Sequence, residues 1–275
     1  VTSAGEIDLA GLERRMAVLA ADQVRPLVSI MLANNETGVV QPICEVARVV
    51  HDAGGLLHVD AVQAAGRMAC DIGALGADLM TLSGHKIGGP KGIGALVKRD
   101  HALDLDPLVS GGGQERGARA GTENVAGIAG FGAAAAAAQA NVAAEGARMR
   151  ALRDCLEAGL RQATPAVTIF GTEAERLPNT TLFAVPGMKA ETSVIAFDLE
   201  GVAVSAGAAC SSGKVQSSHV LAAMGVLPLL ARGAVRVSLG PASTESDIER
   251  FLTAWIRVSQ ALSNKVQDQS QGIAA

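Results

Sequence analysis

LMTLSGHKIGGPKG, residues 79–92, decides the fold, because an apolar run passes there directly into a polar, glycine-rich loop. Leu79–Leu82 predicts a short strand, and Lys86 follows it among small residues that let the backbone approach a ligand closely. Ser83 and His85 add short donors of the kind that bind phosphate. A lysine in such a loop can form a Schiff base with an aldehyde, although an isolated lysine there is more often a solvated surface charge.

Strands and helices alternate around this segment. Leu27–Leu32, Leu56–Val59 and Ala95–Lys98 are short apolar runs that predict strands. Ile43–Ala53 predicts a helix with its valines on one face. This alternation is typical of βαβ units and therefore of an α/β fold with a largely parallel sheet.

Polar residues follow three of the predicted strands. Asn35, Asp60 and Lys86 supply an amide, an anion and a cation. Because ligands of open α/β sheets bind outside the carboxyl ends of the strands, these residues indicate a site for a polar heteroaromatic ligand. The cofactor that needs a lysine, an acidic partner for a ring nitrogen and a phosphate pocket is pyridoxal phosphate (PLP).

The second half of the chain has a different character. A long Ala-rich stretch, Glu123–Gln162, predicts a helix. The last helix starts after Thr244 and carries aromatic residues inward, and the polar segment Gln267–Gly272 predicts a frayed tail. Between them we predict three strands and one helix, namely Val167–Phe170, Thr180–Val185, Ala234–Leu239 and Glu191–Glu200. We place a domain boundary inside the Ala-rich helix, with a PLP-binding large domain over residues 1–140 and a small C-terminal domain over residues 141–275.

Ser205–Gly213 is a loop of small residues around Cys210. A cysteine among Ala and Ser is more often inert than nucleophilic, but this loop has no apolar bulk that would bury the thiol. His219 follows, either as the base of that thiol or as the start of the next helix. On a predicted strand, Arg236 is either a solvent-facing residue or a bidentate clamp for a carboxylate.

A third cluster, Gly111–Asn124, is a long irregular segment, and such loops are often functional. Within it, Thr122 either binds a phosphate or caps the helix that follows.

Composition narrows the function classes. The 275 residues carry a net charge of −4, which gives no footprint for nucleic acid or an anionic membrane. The longest apolar run, Gly132–Ala138, is far shorter than the ~20 residues of a membrane span. Four cysteines without a CxxC pair predict a reducing, cytoplasmic compartment, and no metal site is expected.

Five segments together resemble the NifS-like cysteine desulfurases, in that family's order and near its spacings. They are Asn34–Gly38, His58–Gln63, Ser83–Gly92, Gly111–Asn124 and Ala209–Gly213. The resemblance covers essentially the whole chain. It implies the type I fold of PLP enzymes, with a mainly parallel central sheet flanked by helices and a smaller C-terminal α+β domain.

The resemblance also implies a role for each matching residue. Lys86 is similar to the Schiff-base lysine, Asp60 to the partner of the ring nitrogen and Gln63 to the partner of the ring hydroxyl. Asn35 would lie beside the ring and the substrate, and Arg236 would clamp the substrate carboxylate. The phosphate would be held by Ser83 and His85, with Thr122 reaching it from the neighbouring subunit of a homodimer.

The implied reaction converts L-cysteine to L-alanine, with Cys210 as the nucleophile that becomes a persulfide. The sulfur would pass to an acceptor or scaffold protein for iron–sulfur clusters or other thio-cofactors. Two alternatives are another class V PLP aminotransferase-like enzyme, which has no need of Cys210, and an inactive truncated remnant of a desulfurase.

The start of the chain departs from this family. Residue 1 is Val, and family members carry further strand–helix units and a ring-stacking histidine before this point. We therefore expect a chain that lacks the N-terminal part of a desulfurase.

Overall fold

The computed structural model describes residues 1–100, 103–207 and 218–272, with side chains described up to residue 262. The chain divides into two compact units. The N-terminal unit comprises Leu9–Leu32 and Pro42–Ala143, and the C-terminal unit comprises Val1–Asp8, Ala33–Gln41 and Ala144–Ala275. The domain boundary at residue 140 stays a prediction.

The N-terminal unit contains a four-stranded sheet in the order β1-β2-β3-β4. Its elements are α1 (Leu9–Ala21), β1 (Leu27–Met31), α2 (Ile43–Asp52), β2 (Leu56–Asp60), β3 (Leu79–Ser83) and β4 (Gly94–Lys98). The first three strands run parallel, and β4 runs antiparallel to β3 because the connection between them is too short for a parallel crossover. The predicted, mainly parallel sheet is confirmed.

The two faces of β2 differ in chemistry. Leu57 and Val59 are fully buried, and the apolar face of α2, with Val46 and Val50 at its centre, packs on this side of the sheet. The opposite face carries His58 and Asp60, which are only half-buried. Because side chains alternate along a strand, burial of one face leaves the other free to carry the polar residues.

α3 (Val125–Ala163) is a single helix of 39 residues that passes through the boundary of the two units. It begins after Asn124, whose Oδ1 accepts a hydrogen bond from the Gly127 amide at 3.0 Å. An 18-residue window of α3 has a mean hydropathy of 1.3, so its length and composition suffice for a membrane span. The longest uninterrupted apolar run, Gly132–Ala138, lies within α3 and is far shorter than a membrane span, whereas the window average includes the residues around it.

The C-terminal unit contains an antiparallel sheet in the order β5-β6-β8-β7. Its further elements are β5 (Thr168–Ile169), β6 (Thr180–Ala184), α4 (Ala190–Leu199), β7 (Ser205–Ala206), α5 (His219–Ala223), α6 (Pro228–Ala231), β8 (Val235–Ser238) and α7 (Glu245–Gly272). Phe183 packs edge-on against Trp255 at 5.2 Å, and Phe197 stacks on Phe251 at 5.2 Å. The inward placement of Phe251 and Trp255 is confirmed by their burial.

One expectation about helices is wrong, and one helix was not expected. Gln267–Gly272 is not frayed but belongs to α7, which runs to Gly272. α1 was not predicted from the sequence, because only Met16 of its thirteen residues is buried and its apolar periodicity is weak.

A buried ion pair joins α3 to the second sheet. Both guanidinium Nη atoms of Arg176 bind the Glu157 carboxylate, at 2.8 and 3.0 Å, and Thr181 donates its hydroxyl to the same group at 2.8 Å. Arg176→Met leaves the buried Glu157 carboxylate with only the exposed Arg161, at 3.6 Å, as a cation. We therefore expect the free energy of unfolding to fall by about 3 kcal/mol.

Urea denaturation of Arg176→Met against the parent chain measures this loss. Arg257→Ala is the matched control, because Arg257 is 67% exposed in its pair with Glu200. An equal loss of unfolding free energy in both variants would contradict the prediction that the buried ion pair contributes more to stability than the exposed one.

Candidate active site

The Lys86 segment is held by its own main chain. Gly84–Ile87 forms a short 3-10 helix directly after β3. The Gly84 amide donates to the Ile93 carbonyl and the Gly89 amide to the Gly84 carbonyl, each at 2.9 Å. A Cβ atom at Gly84 would stand 2.8 Å from Ile93 Cγ2, so only glycine fits there. Lys86 itself is half-buried.

Asp60 and Ser83 end neighbouring strands on the same face of the sheet. Asp60 lies opposite Thr81 in the parallel pairing of β2 and β3, and Ser83 is two residues further along. The Val62 amide donates to Asp60 Oδ1 at 2.9 Å, which fixes the carboxylate at the strand end. Ser83 Oγ and His85 Nδ1 are 3.0 Å apart, so a hydroxyl and an imidazole lie together beside Lys86.

Several polar groups at this edge have unused bonding capacity. Among the described residues, no hydrogen bond reaches Oδ2 of Asp60, the side-chain amide of Gln63 or Nζ of Lys86. A carboxylate, an amide and an amine, with the Ser83–His85 pair beside them, form a mixed set of donors and acceptors. They suit a ligand that presents a protonated ring nitrogen, a hydroxyl, a carbonyl and an anionic group.

A chain of hydrogen-bonded side chains crosses β1, β2 and β3 on the polar face of the sheet. Ser29 Oγ lies 2.7 Å from His58 Nδ1, and His58 Nε2 lies 3.2 Å from Thr81 Oγ1. His58 was not among the predicted site residues. Its position two residues before Asp60 was the available signal, because residues two apart on a strand share a face.

In the C-terminal unit, a tight turn holds Asn35 and Arg236. Asn34 Oδ1 accepts hydrogen bonds from the Glu36 and Thr37 amides at 2.9 and 3.0 Å, and this fixes the turn. Arg236 Nη1 donates to the Asn35 carbonyl at 2.8 Å, and its buried Nε has no hydrogen-bond partner among the described residues. A buried donor without a partner is costly, which favours Arg236 as a carboxylate clamp over a solvent-facing residue.

Glu36 is a buried acid that the sequence analysis missed. Ser218 donates its hydroxyl to Glu36 Oε2 at 2.6 Å and accepts the Leu221 amide at 3.0 Å, so it also caps α5. Burial raises the pKa of Glu36, and the Ser218 hydrogen bond with the nearby His219 and Arg236 offsets this only in part. His219 is the first residue of α5, as one of its two predicted roles required.

The predicted site residues are distributed over both units, apart from those outside the described residues. Asp60, Gln63, Ser83, His85 and Lys86 all lie in the N-terminal unit, whereas Asn35 and Arg236 lie in the C-terminal unit. Thr122 is exposed, and its alternative role as the cap of α3 is wrong because Asn124 takes that position. Cys210 lies outside the described residues. Of the remaining cysteines, Cys70 is half-buried, and burial raises the pKa of its thiol to about 11, which makes it a poor nucleophile.

The family profile of the class V aminotransferases matches residues 1–251. The chain therefore belongs to the aminotransferase class-V family. Within that family it belongs with the NifS-like cysteine desulfurases. It is 43% identical over 278 residues to cysteine desulfurase 2 of Trichormus variabilis, with 99% of this chain and 68% of that protein covered.

Two further relatives are also named cysteine desulfurases. The cysteine desulfurase of Gluconacetobacter diazotrophicus is 43% identical over 252 residues, which cover 92% of this chain and 62% of that protein. NifS of Azotobacter vinelandii is 42% identical over 252 residues, which cover 92% of this chain and 61% of NifS. The chain thus spans about three fifths of the length of these two relatives.

Solved structures give the same result for the fold. The NifS-like protein from Rickettsia africae has a TM-score of 0.85 at 38% identity, covering 94% of this chain and 68% of its own. SspA in complex with cysteine has a TM-score of 0.65 at 28% identity, covering 88% and 65%. The predicted fold class, the type I fold of PLP enzymes, is confirmed by this likeness.

Glu36 makes stability depend on pH. Because its pKa is raised in the folded chain, the folded chain binds the proton more tightly than the unfolded one. The resulting stabilisation is complete below the ordinary pKa of 4.5 and is lost as pH rises through the raised value. Glu36→Gln keeps an acceptor for Ser218 without the ionisable proton, so its urea midpoint should fall less than that of the parent chain between pH 4.5 and pH 7.

Urea denaturation at several pH values measures this difference. Glu249→Gln, on the exposed face of α7, is the matched control and should follow the parent chain. A constant gap between the parent chain and Glu36→Gln at every pH would contradict the titration of Glu36.

Proposed function

We propose that this chain carries the activity of a PLP-dependent cysteine desulfurase, which converts L-cysteine to L-alanine and leaves a persulfide on Cys210. The observation that carries the proposal is the set of polar groups with unused bonding capacity at the carboxyl ends of β2 and β3, in a chain of the NifS-like family. The cysteine bound to the related SspA structure supports the choice of substrate.

The donors at the strand ends match the groups of PLP. Asp60 would hold the protonated ring nitrogen, and Gln63 would bond the ring hydroxyl. Ser83 and His85, already 3.0 Å apart, would bind the phosphate, and Lys86 would hold the aldehyde carbon through its amine. When bound, PLP withdraws electrons from the substrate α-carbon.

The protein side chains then divide the work on the substrate. Arg236 would bind the substrate carboxylate, with the Asn35 carbonyl orienting its guanidinium. Lys86 would take the α-proton as a general base. Cys210, as thiolate, would attack the substrate sulfur, so that an S–S bond forms as the C–S bond breaks. The substrate carbon is reduced and takes a proton to give alanine, while the transferred sulfur is oxidised to the persulfide level.

The proposed enzyme also needs a second subunit, a sulfur acceptor and a compartment. Thr122 is exposed, as a residue that reaches the phosphate of a neighbouring subunit must be, and we propose a homodimer on this basis. The persulfide sulfur would pass to an acceptor or scaffold protein for iron–sulfur clusters or other thio-cofactors. We further propose a cytoplasmic location, consistent with free thiols at Cys44, Cys70 and Cys155.

The cofactor assignment is tested by titrating the purified chain with PLP. We expect a visible absorption band in the parent chain that Lys86→Ala lacks, because the proposal assigns the bond with the aldehyde carbon to the Lys86 amine. Lys91→Ala is the matched control, since it removes a lysine of the same loop and should keep the band. A band of equal strength in Lys86→Ala would contradict the role of Lys86.

The sulfur step is tested by assaying alanine release from L-cysteine. Cys210→Ser should lower the rate at least about a hundredfold, because a hydroxyl does not replace a thiolate nucleophile. Cys155→Ser, on the exposed surface of α3, is the control and should keep the parent rate. Unchanged alanine release in Cys210→Ser would instead favour another class V enzyme.

A further inference from the structure

Arg67 is a half-buried cation that the proposed reaction does not use. It lies in the turn segment Ala61–Met68, which leaves the end of β2 directly after Asp60. No carboxylate contacts Arg67 within the described part of the chain. Burial therefore acts on it without an acidic partner and lowers the pKa of its guanidinium.

The guanidinium of Arg67 instead binds two main-chain carbonyls. Nη1 donates to the Gln63 carbonyl at 2.6 Å, and Nη2 donates to the Lys86 carbonyl at 3.4 Å. One side chain thus bridges the segment that follows β2 and the 3-10 helix that follows β3. The planar fork of arginine suits such a bridge, whereas the single ammonium of lysine does not.

A second contact draws the same two segments together. Gly66 adopts a positive φ of 74°, and a Cβ atom there would stand 3.2 Å from Ile87 Cγ2 and 3.3 Å from Ala138 Cβ. A side chain at this position would be strained by the positive φ and would crowd Ile87, so glycine favours this close approach. Arg67 and Gly66 therefore hold the turn against the Lys86 segment, at the Lys86 carbonyl and at Ile87.

We propose that Arg67 is a positioning residue that fixes Lys86 relative to Asp60 and Gln63. This inference rests on the proposed function, because it takes those three residues as the ones that hold PLP. Parallel pairing of β2 and β3 places the two strand ends side by side, but it leaves the loops beyond them free to diverge. The Arg67 side chain holds these loops together at the Gln63 and Lys86 carbonyls. These are two of the residues proposed to bind PLP.

Two measurements on the full chain test this role. The first is the affinity for PLP, from absorbance titration followed by borohydride reduction and mass spectrometry of the Lys86 peptide. Arg67→Met should weaken PLP binding about tenfold or more, since hydrogen bonds from a charged donor carry that weight. Arg67→Lys, which keeps the charge but loses the fork, should weaken it as well.

The second measurement is amide hydrogen exchange of residues 84–89 without PLP. It should become about tenfold faster in Arg67→Met, because the Lys86 segment loses its tie to the turn. Arg99→Met is the matched control. Arg99 also forms a charged contact in the N-terminal unit, but it is exposed and its partner, Asp78, lies at the opposite end of β3.

The outcomes separate the two proposals. Loss of PLP affinity with faster exchange in Arg67→Met, and neither in Arg99→Met, supports the positioning role. Unchanged exchange, unchanged PLP affinity or an equal loss in Arg99→Met overturns it. If the parent chain takes up no PLP, the proposed function fails, and the exchange of residues 84–89 still decides whether Arg67 holds the Lys86 segment.

Discussion

The parallel pairing of β2 with β3 is the constraint on which the candidate site depends. It sets Asp60 opposite Thr81 and places the ends of both strands at one edge of the sheet. Because all side chains of one face move together when a strand slips by one residue, the buried Leu57 and Val59 fix the face on which His58 and Asp60 lie. The apolar side of β2 therefore determines where its polar side presents a carboxylate.

Beyond the strand ends, the loops are held by main-chain hydrogen bonds and close packing contacts instead of by strand pairing. The Lys86 segment is tied to itself through Gly84 and Gly89, and it is tied to the neighbouring turn through Arg67. Each of these contacts needs either a glycine, which removes a side chain, or an arginine, which reaches two carbonyls at once. A loop of small residues thereby becomes a defined support for the Lys86 side chain.

The C-terminal unit fixes its site residues by a different device. The turn beginning at Asn34 presents the Asn35 carbonyl to Arg236 and the Glu36 carboxylate to Ser218. Two neighbouring residues of one turn thus hold a candidate substrate clamp and the cap of α5. This turn also contacts the guanidinium of Arg236, whose buried Nε has no partner among the described residues, while burial raises the pKa of Glu36.

The sequence by itself determined the alternation of strands and helices, the strand-end residues Asp60 and Lys86, and membership of the NifS-like family. These follow from local patterns, since apolar period, glycine punctuation and motif order are written along the chain. Only the tertiary structure decided the roles of His58, Glu36 and Arg67, because each acts on a partner distant in sequence or on a main-chain carbonyl that no side-chain motif records. The length of α7 and the existence of α1 were likewise decided by the folded chain, where helical hydrogen bonding continues through residues whose side chains give no apolar period.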